Sequence, residues 1–218
     1  MKLIEEYGTI GKVKLNSILW TKEDNTRSLG VVKKEVPVHD LRYWEGETPK
    51  GGICLTDQML ANLIIYLNDF LPDFFDKEKD IVSELNEMVY YSGTVGHTTY
   101  KIHEKIGTLE NDNKSKLMIS WTSFNNEDAA LDIRTWTQDL TRYTRGIRIS
   151  VGELDDFFYL LLAILDRNKI KLPNTTPMRR KFSTTEEIFN EFLFKEDLAY
   201  LLNDSTSEEL IKKIKSQL

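Results

Sequence analysis

Cysteine is nearly missing from this chain. Cys54 stands alone among 218 residues, which excludes an intrachain disulfide and any zinc site built on cysteine. Histidine is scarce as well, and His39, His97 and His103 have no metal-ligand spacing, so no metal is expected. No apolar run approaches the ~20 residues that a helix needs to cross a bilayer. The opening MKLIEEYGTIG puts two glutamates where a signal peptide needs an apolar stretch, so the expected location is cytoplasmic and no membrane partner is expected. Positive charge is in the minority, with 29 Lys and Arg against 35 Asp and Glu and a net charge of −6. That excludes a protein that coats nucleic acid with its whole surface, but not one with a local basic groove. Catalytic patterns are missing too. The glycine-bearing GTVGHTT lacks the Lys-Ser/Thr ending of a phosphate-binding loop, and Asp155-Asp156 sit at a helix start, where they favour the helix dipole. Neither an enzyme nor a cofactor is expected.

What is present is a pattern that occurs twice. Asp40-Leu41-Arg42-Tyr43-Trp44 matches Asp132-Ile133-Arg134-Thr135-Trp136 at an offset of 92. Lys50-Gly51-Gly52-Ile53-Cys54-Leu55-Thr56 matches Thr144-Arg145-Gly146-Ile147-Arg148-Ile149-Ser150 at an offset of 94. Upstream, SILWTKEDN is similar to MISWTSFNN, which aligns Trp20 with Trp121. The order is the same in both halves, and an internal repeat governs the reading of everything else.

Each copy has a readable local structure. TYKIHEKI and KLMISWTSF are rich in β-branched and aromatic residues and are bounded by turn residues such as ENDNK. ALDIRTW alternates, with Leu131, Ile133 and Thr135 on one face and Asp132, Arg134 and Trp136 on the other. Ser150 and Glu153 form a capping box before the apolar helix ELDDFFYLLLAIL, and Thr56 caps QMLANLIIYLNDF, which ends before Pro72. The expected fold class is therefore α+β: two ββββα repeats, residues 1–72 and 94–168, forming an intramolecular pseudo-dimer of curved antiparallel sheets. Residues 73–93 read as a connecting helix, and 169–218 as a linker with two amphipathic C-terminal helices. A unit of about 70 residues is only marginally stable alone, which favours two packed together.

One helix covers one face of a sheet, and the other face carries the unusual residues. The alternation places Lys101, His103 and Lys105 on that open side. Arg134, Trp136 and Arg148 join them, with Arg142 and Arg145 in the intervening loop. Cations that follow phosphates, with rings on which bases stack, are what single-stranded nucleic acid binding requires. The competing reading is structural: Trp20 and Trp121 as core, Asp132–Arg134 as a cross-strand surface pair, and the lysines as a solvated edge.

DIRTWTQDLTRYTRGIRIS followed by an apolar helix resembles the positive cofactor 4 family of transcriptional coactivators, especially its small bacterial members. KLNSILW is similar to the family's second strand. The resemblance covers residues 1–72 and 94–168, specifically in the second copy and more loosely in the first. It implies ββββα units that dimerise and bind single-stranded DNA across paired curved sheets, here with both halves in one monomeric chain. Carried onto this sequence, it makes Arg42 and Arg134 backbone contacts, Trp44 and Trp136 aromatic partners, and Phe124 a stacking residue, with Lys50 on the corresponding first-copy strand. The first copy departs from it, with Glu23 at the phenylalanine position, Gly51 in place of Arg145 and Cys54 in place of Arg148.

The leading expectation is a non-enzymatic single-stranded DNA-binding protein of a bacterium or phage, acting in replication, recombination or transcription. The alternatives are a regulator that binds RNA or duplex DNA on the same scaffold, and an interaction module. The latter would use the C-terminal stripe Ile188, Phe189, Phe192, Leu193 and Tyr200 to hold a protein partner.

Overall fold

Strand segments rich in β-branched and aromatic residues are reversed at Gly11, Gly46, Gly96 and Asn125–Asn126, all at positive φ. The structure, a computed structural model, describes residues 2–24, 32–71 and 80–173. The first part runs β1 (Lys2–Ile10), β2 (Val13–Asp24), β3 (Val32–Glu45), β4 (Thr48–Leu55) and helix α1 (Asp57–Phe70). The second runs α2 (Ile81–Glu87), β5 (Tyr91–Val95), β6 (Thr98–Asn111), β7 (Ser115–Phe124), β8 (Ala130–Thr137) and β9 (Tyr143–Ile149). A 3₁₀ turn (Val151–Glu153) and helix α3 (Leu154–Arg167) follow. Among the described residues the strands form two antiparallel meanders, ordered β1-β2-β3-β4 and β5-β6-β7-β8-β9. The protein is thus α+β, with two antiparallel sheets and a helix after each. Among the described residues no helix is long and apolar enough to cross a membrane.

The same register recurs in both sheets. Asp40 pairs with Asn16 on one side and Cys54 on the other, as Asp132 pairs with Ser120 and Arg148. Arg42 pairs with Gly52 and Arg134 with Gly146, and an irregularity precedes Trp44 and Trp136 alike. This register corrects the sequence alignment of the second strands. Trp20 lies four residues beyond Asn16, and Phe124 four beyond Ser120, so Trp20 corresponds to Phe124 and Trp121 to Ser17. The near-identical Trp-Thr dipeptides are out of register by three residues. Trp121 is fully buried as expected of core, whereas Trp20 is 44% exposed.

Three further expectations change. The second sheet has a fifth strand, β5, because VYYSGTV is β-branched and aromatic and Gly96, at φ +61°, closes a tight hairpin to β6. The connecting helix is correspondingly short: α2, capped by the Asp80 side chain accepting from Ser83 N at 3.2 Å, ends at Glu87. The alternation in β6 fails as well. Irregularities between Ile102 and Glu104 and between Lys105 and Gly107 shift the side chains across the sheet, so Lys101, His103 and Lys105 do not share a side. Residues 73–79 of the expected connecting helix and both C-terminal helices lie outside the described residues, as do the side chains of Glu23, Lys33 and Lys34.

One apolar core joins the two sheets. Leu15, Leu41, Leu60, Leu63, Ile64 and Leu67 from the first part share it with Trp121, Ile133, Ile147, Phe157, Leu161 and Leu165 from the second. At ~25 cal/mol per Å² of apolar surface, each such side chain contributes about 1.5–3 kcal/mol. The helices pack across the division as well: α1 lies on β6, and α3 on β1. Two glycines make this possible. A Cβ at Gly107 would stand 2.6 Å from the Tyr66 ring of α1, and one at Gly8 would stand 3.1 Å from Leu160 of α3. Both glycines follow a strand irregularity, at matching places on β1 and β6.

Candidate nucleic-acid interface

An aspartate two residues before an arginine on a strand puts both side chains on one face, and here they lock together. Arg134 donates from Nε and Nη2 to the Asp132 carboxylate at 2.6 and 2.5 Å. Arg42 makes the same fork to Asp40 at 2.5 Å for both bonds. The fork needs glycine opposite, since a Cβ at Gly146 or Gly52 would strike the Cβ of Arg134 or Arg42 at 2.4 and 2.2 Å. Burial pushes the Asp132 carboxyl up, and Arg134 and Arg148 pull it back. The hydrogen bond to Asp40 holds the Arg42 guanidinium above its ordinary value. In the first sheet Cys54 stands where Arg148 stands in the second. Its thiol donates to Asp40 at 3.3 Å, and burial raises its pKa to about 11, so it is a poor nucleophile.

The expected open face of the second sheet is closed. Trp136 is fully buried, and Phe124 and Arg134 are nearly so. Tyr100 lies 4.9 Å from Trp136 and 6.4 Å from Phe124, and Tyr143 lies 5.0 and 5.6 Å from the same two rings. Lys116 pairs with Trp136 across β7–β8, so rings eight β7 positions apart share both tyrosines. The sheet is curled until its two ends meet. Tyr91 stacks on Tyr100 from β5, and Tyr100 donates to Leu140 O at 2.5 Å; burial raises the Tyr100 phenol to about 12. The Arg134 guanidinium lies 4.4 Å from the Phe124 ring centre and 4.8 Å from Tyr143. Neither Trp136 nor Phe124 has a surface to offer a base, which corrects the expectation of exposed platforms. The signal was in the sequence: three tyrosines, Tyr91, Tyr100 and Tyr143, flank these strands.

The basic residues divide into three groups. Arg134 and Arg42 are committed to their aspartates, and Arg148 reaches Glu127 at 3.4 Å and the carbonyls of Thr122 and Asp128 at 3.3 and 2.9 Å. Lys101 donates to Asn86 O at 3.1 Å, and Lys50 pairs with Glu45 at 2.7 Å. Arg142, Arg145 and Lys105 are exposed, and among the described residues none of them has a carboxylate partner. Lys105 raises the local potential at Lys116, whose pKa falls through burial first and this neighbour second. His103, expected beside the lysines, is buried instead. Its Nδ1 donates to Met88 O at 3.1 Å and its Nε2 accepts from Ser123 Oγ at 3.0 Å.

Edge strands β4 and β9 meet at the seam between the sheets. The Tyr43 hydroxyl accepts from Arg148 N at 2.7 Å and donates to Arg148 O at 3.2 Å. Beside this lies an open groove of about 640 Å³ lined by Tyr43, Gly51, Arg134, Tyr143, Thr144, Arg145 and Gly146. Arg145 crosses the seam over Gly51, where a Cβ would meet it at 2.8 Å. The lining has two arginines, two phenol rings and no carboxylate. Sequence reasoning identified Arg134 and Arg145 but not Tyr43, the middle residue of the first Arg-x-Trp, nor Tyr143, which lies outside that motif. Trp44 is half-buried with Lys14 Nζ 5.2 Å from its ring centre. Among the described residues no group of three or more His, Cys, Asp or Glu is placed to hold a metal. No family model matches the chain, and no curated protein is significantly similar to it.

Proposed function

We propose that the protein binds single-stranded DNA, without catalysis, across the seam between its two sheets. The observation that carries this reading is the groove at β4 and β9, with the exposed Arg145 for phosphates, Tyr43 and Tyr143 as its rings and no acid in its lining. Arg142 stands in the adjacent β8–β9 loop. A flexible single strand fits an open groove with spaced cations, and its charge makes binding salt-dependent. The same proposal takes the two parts as copies of one ββββα unit arranged as an intramolecular pseudo-dimer. The shared register, the doubled Asp-x-Arg fork and the reciprocal packing at Gly8 and Gly107 support it.

The test is anisotropy of labelled 20-nucleotide DNA, RNA and matching duplex at several salt concentrations. Tightest binding to single-stranded DNA is expected, and Arg142→Ala and Arg145→Ala should each flatten the log–log salt slope by about 0.7. Equal binding of duplex, or an unchanged slope in both variants, would overturn the reading.

A further inference from the structure

An edge strand presents a row of backbone groups that can recruit another strand, and proteins guard such edges with charges, bulges or cover. Among the described residues the edges are β1 and β4 of the first sheet and β5 and β9 of the second. Strands β4 and β9 meet each other at the seam. Strand β1 carries Lys2, Glu5 and Glu6 and is broken by irregularities between Leu3 and Glu5 and between Glu6 and Gly8. Strand β5, Tyr-Ser-Gly-Thr-Val, has neither guard. It holds no charge and no proline, and its register with β6 is unbroken from Tyr91 and Ile102 to Val95 and Thr98. The residues that lead into it, Met88, Val89 and Tyr90, are large and 49, 58 and 51% exposed.

We propose that β5 is a dimerisation edge: it pairs antiparallel with β5 of a second copy of this chain, about a two-fold axis at Gly93, and joins the two five-stranded sheets. The hairpin sets this register. Val95 and Thr98 flank the two-residue turn Gly96–His97 and so form a hydrogen-bonded pair, as do Gly93 with Tyr100 and Tyr91 with Ile102. The backbone N–H and C=O of Ser92 and Thr94 therefore point away from β6. With Gly93 on the axis, Ser92 exchanges two hydrogen bonds with the partner's Thr94, and the symmetry repeats them. Gly93 adds no side chain between the two backbones. A two-fold contact needs a strand that complements itself, and this one does. Ser92 opposite the partner's Thr94 is a hydroxyl pair, and Tyr91 opposite the partner's Val95 is an aromatic–β-branched pair, both of which stabilise antiparallel strands. The same register lays Val89 and Tyr90 along the partner's His97 and the partner's Gly96, and hides their apolar surface. Strand β5 is the far edge of its sheet from β9, so the contact does not use the seam and does not rest on the DNA reading.

Sedimentation equilibrium of the full chain from about 1 to 200 µM should show a monomer–dimer equilibrium, since so short an edge makes a small interface. Thr94→Lys sets a cation on the edge, and Thr94→Pro removes an outward N–H without taking a bond from β6. Each should weaken the dimer about tenfold or more with circular dichroism unchanged, whereas Glu6→Thr on β1 should leave it as it is. Amide hydrogen exchange at Ser92 and Thr94 should slow as the wild-type concentration rises. A wild type that stays monomeric at the highest concentration overturns the proposal. So does a dimer that both Thr94 variants retain, or one in which the Ser92 and Thr94 amides exchange as fast as in dilute protein, because such a dimer uses another surface.

Discussion

Arg134 is the residue that a binding hypothesis would mutate first, and the structure makes it the wrong choice. It is buried against Asp132 and two aromatic rings, and removing it leaves a fully buried carboxylate alone. Arg134→Ala should cost about 3–5 kcal/mol of stability by urea unfolding, whatever it does to DNA. Replacing both partners, as Asp132→Leu with Arg134→Met, should recover much of that loss. His103 offers a second residue-scale test. Burial holds its pKa below the ordinary value, so the neutral ring is the folded form. The sign follows: its stabilisation is complete above about pH 6.5, the unfolded value, and fades as the pH drops through the lower folded value. Melting temperature should therefore fall more steeply between pH 7.5 and 5 in wild type than in His103→Asn. Equal slopes would mean that His103 does not couple to folding. Individual roles were the least legible part of the sequence. Alternation placed Arg134 and Trp136 on one face correctly, but curling of the sheet decided that this face is interior, and no single strand's pattern contains its sheet's curvature.

The strands and both long helices were legible because period-2 and period-3.6 patterns are local. The N-caps were too: Ser150 with Glu153 forms the expected box but opens a 3₁₀ turn before α3 proper, and Thr56 caps α1 while its backbone N–H donates to Met59 Sδ at 3.5 Å, a box that the sequence did not announce. What failed was anything set by an inserted residue. The irregularities in β6 displaced Lys101 and His103, and the misaligned Trp-Thr pair hid the match between Trp20 and Phe124. Gly107 shows how tightly such an irregularity is used. Gly107→Val would drive side-chain atoms into Tyr66 of α1 and should destabilise the protein by about 1–3 kcal/mol. In a double-mutant cycle, Tyr66→Ala should return part of that loss. Strict additivity would show that α1 does not depend on this contact.

Among the described residues the main core is shared by both sheets, beside a smaller cluster on the outer face of the second, and each long helix is laid on the opposite sheet. Unfolding should accordingly be one transition, coincident by tyrosine-region circular dichroism and by tryptophan emission. Two separated midpoints would mean that the sheets are independent units. The two faces either side of the seam are nevertheless unlike, with Cys54 against Arg148 and an exposed Trp20 against an enclosed Phe124. A site made by two identical subunits presents the same sequence of contacts from either end, so a strand can lie in it both ways round with equal energy. This chain has no such equivalence. Under the proposed function, a single strand entering from β1 and leaving by β9 would meet different chemistry from one laid in reverse, and this asymmetry would fix the 5′-to-3′ direction in which it is held.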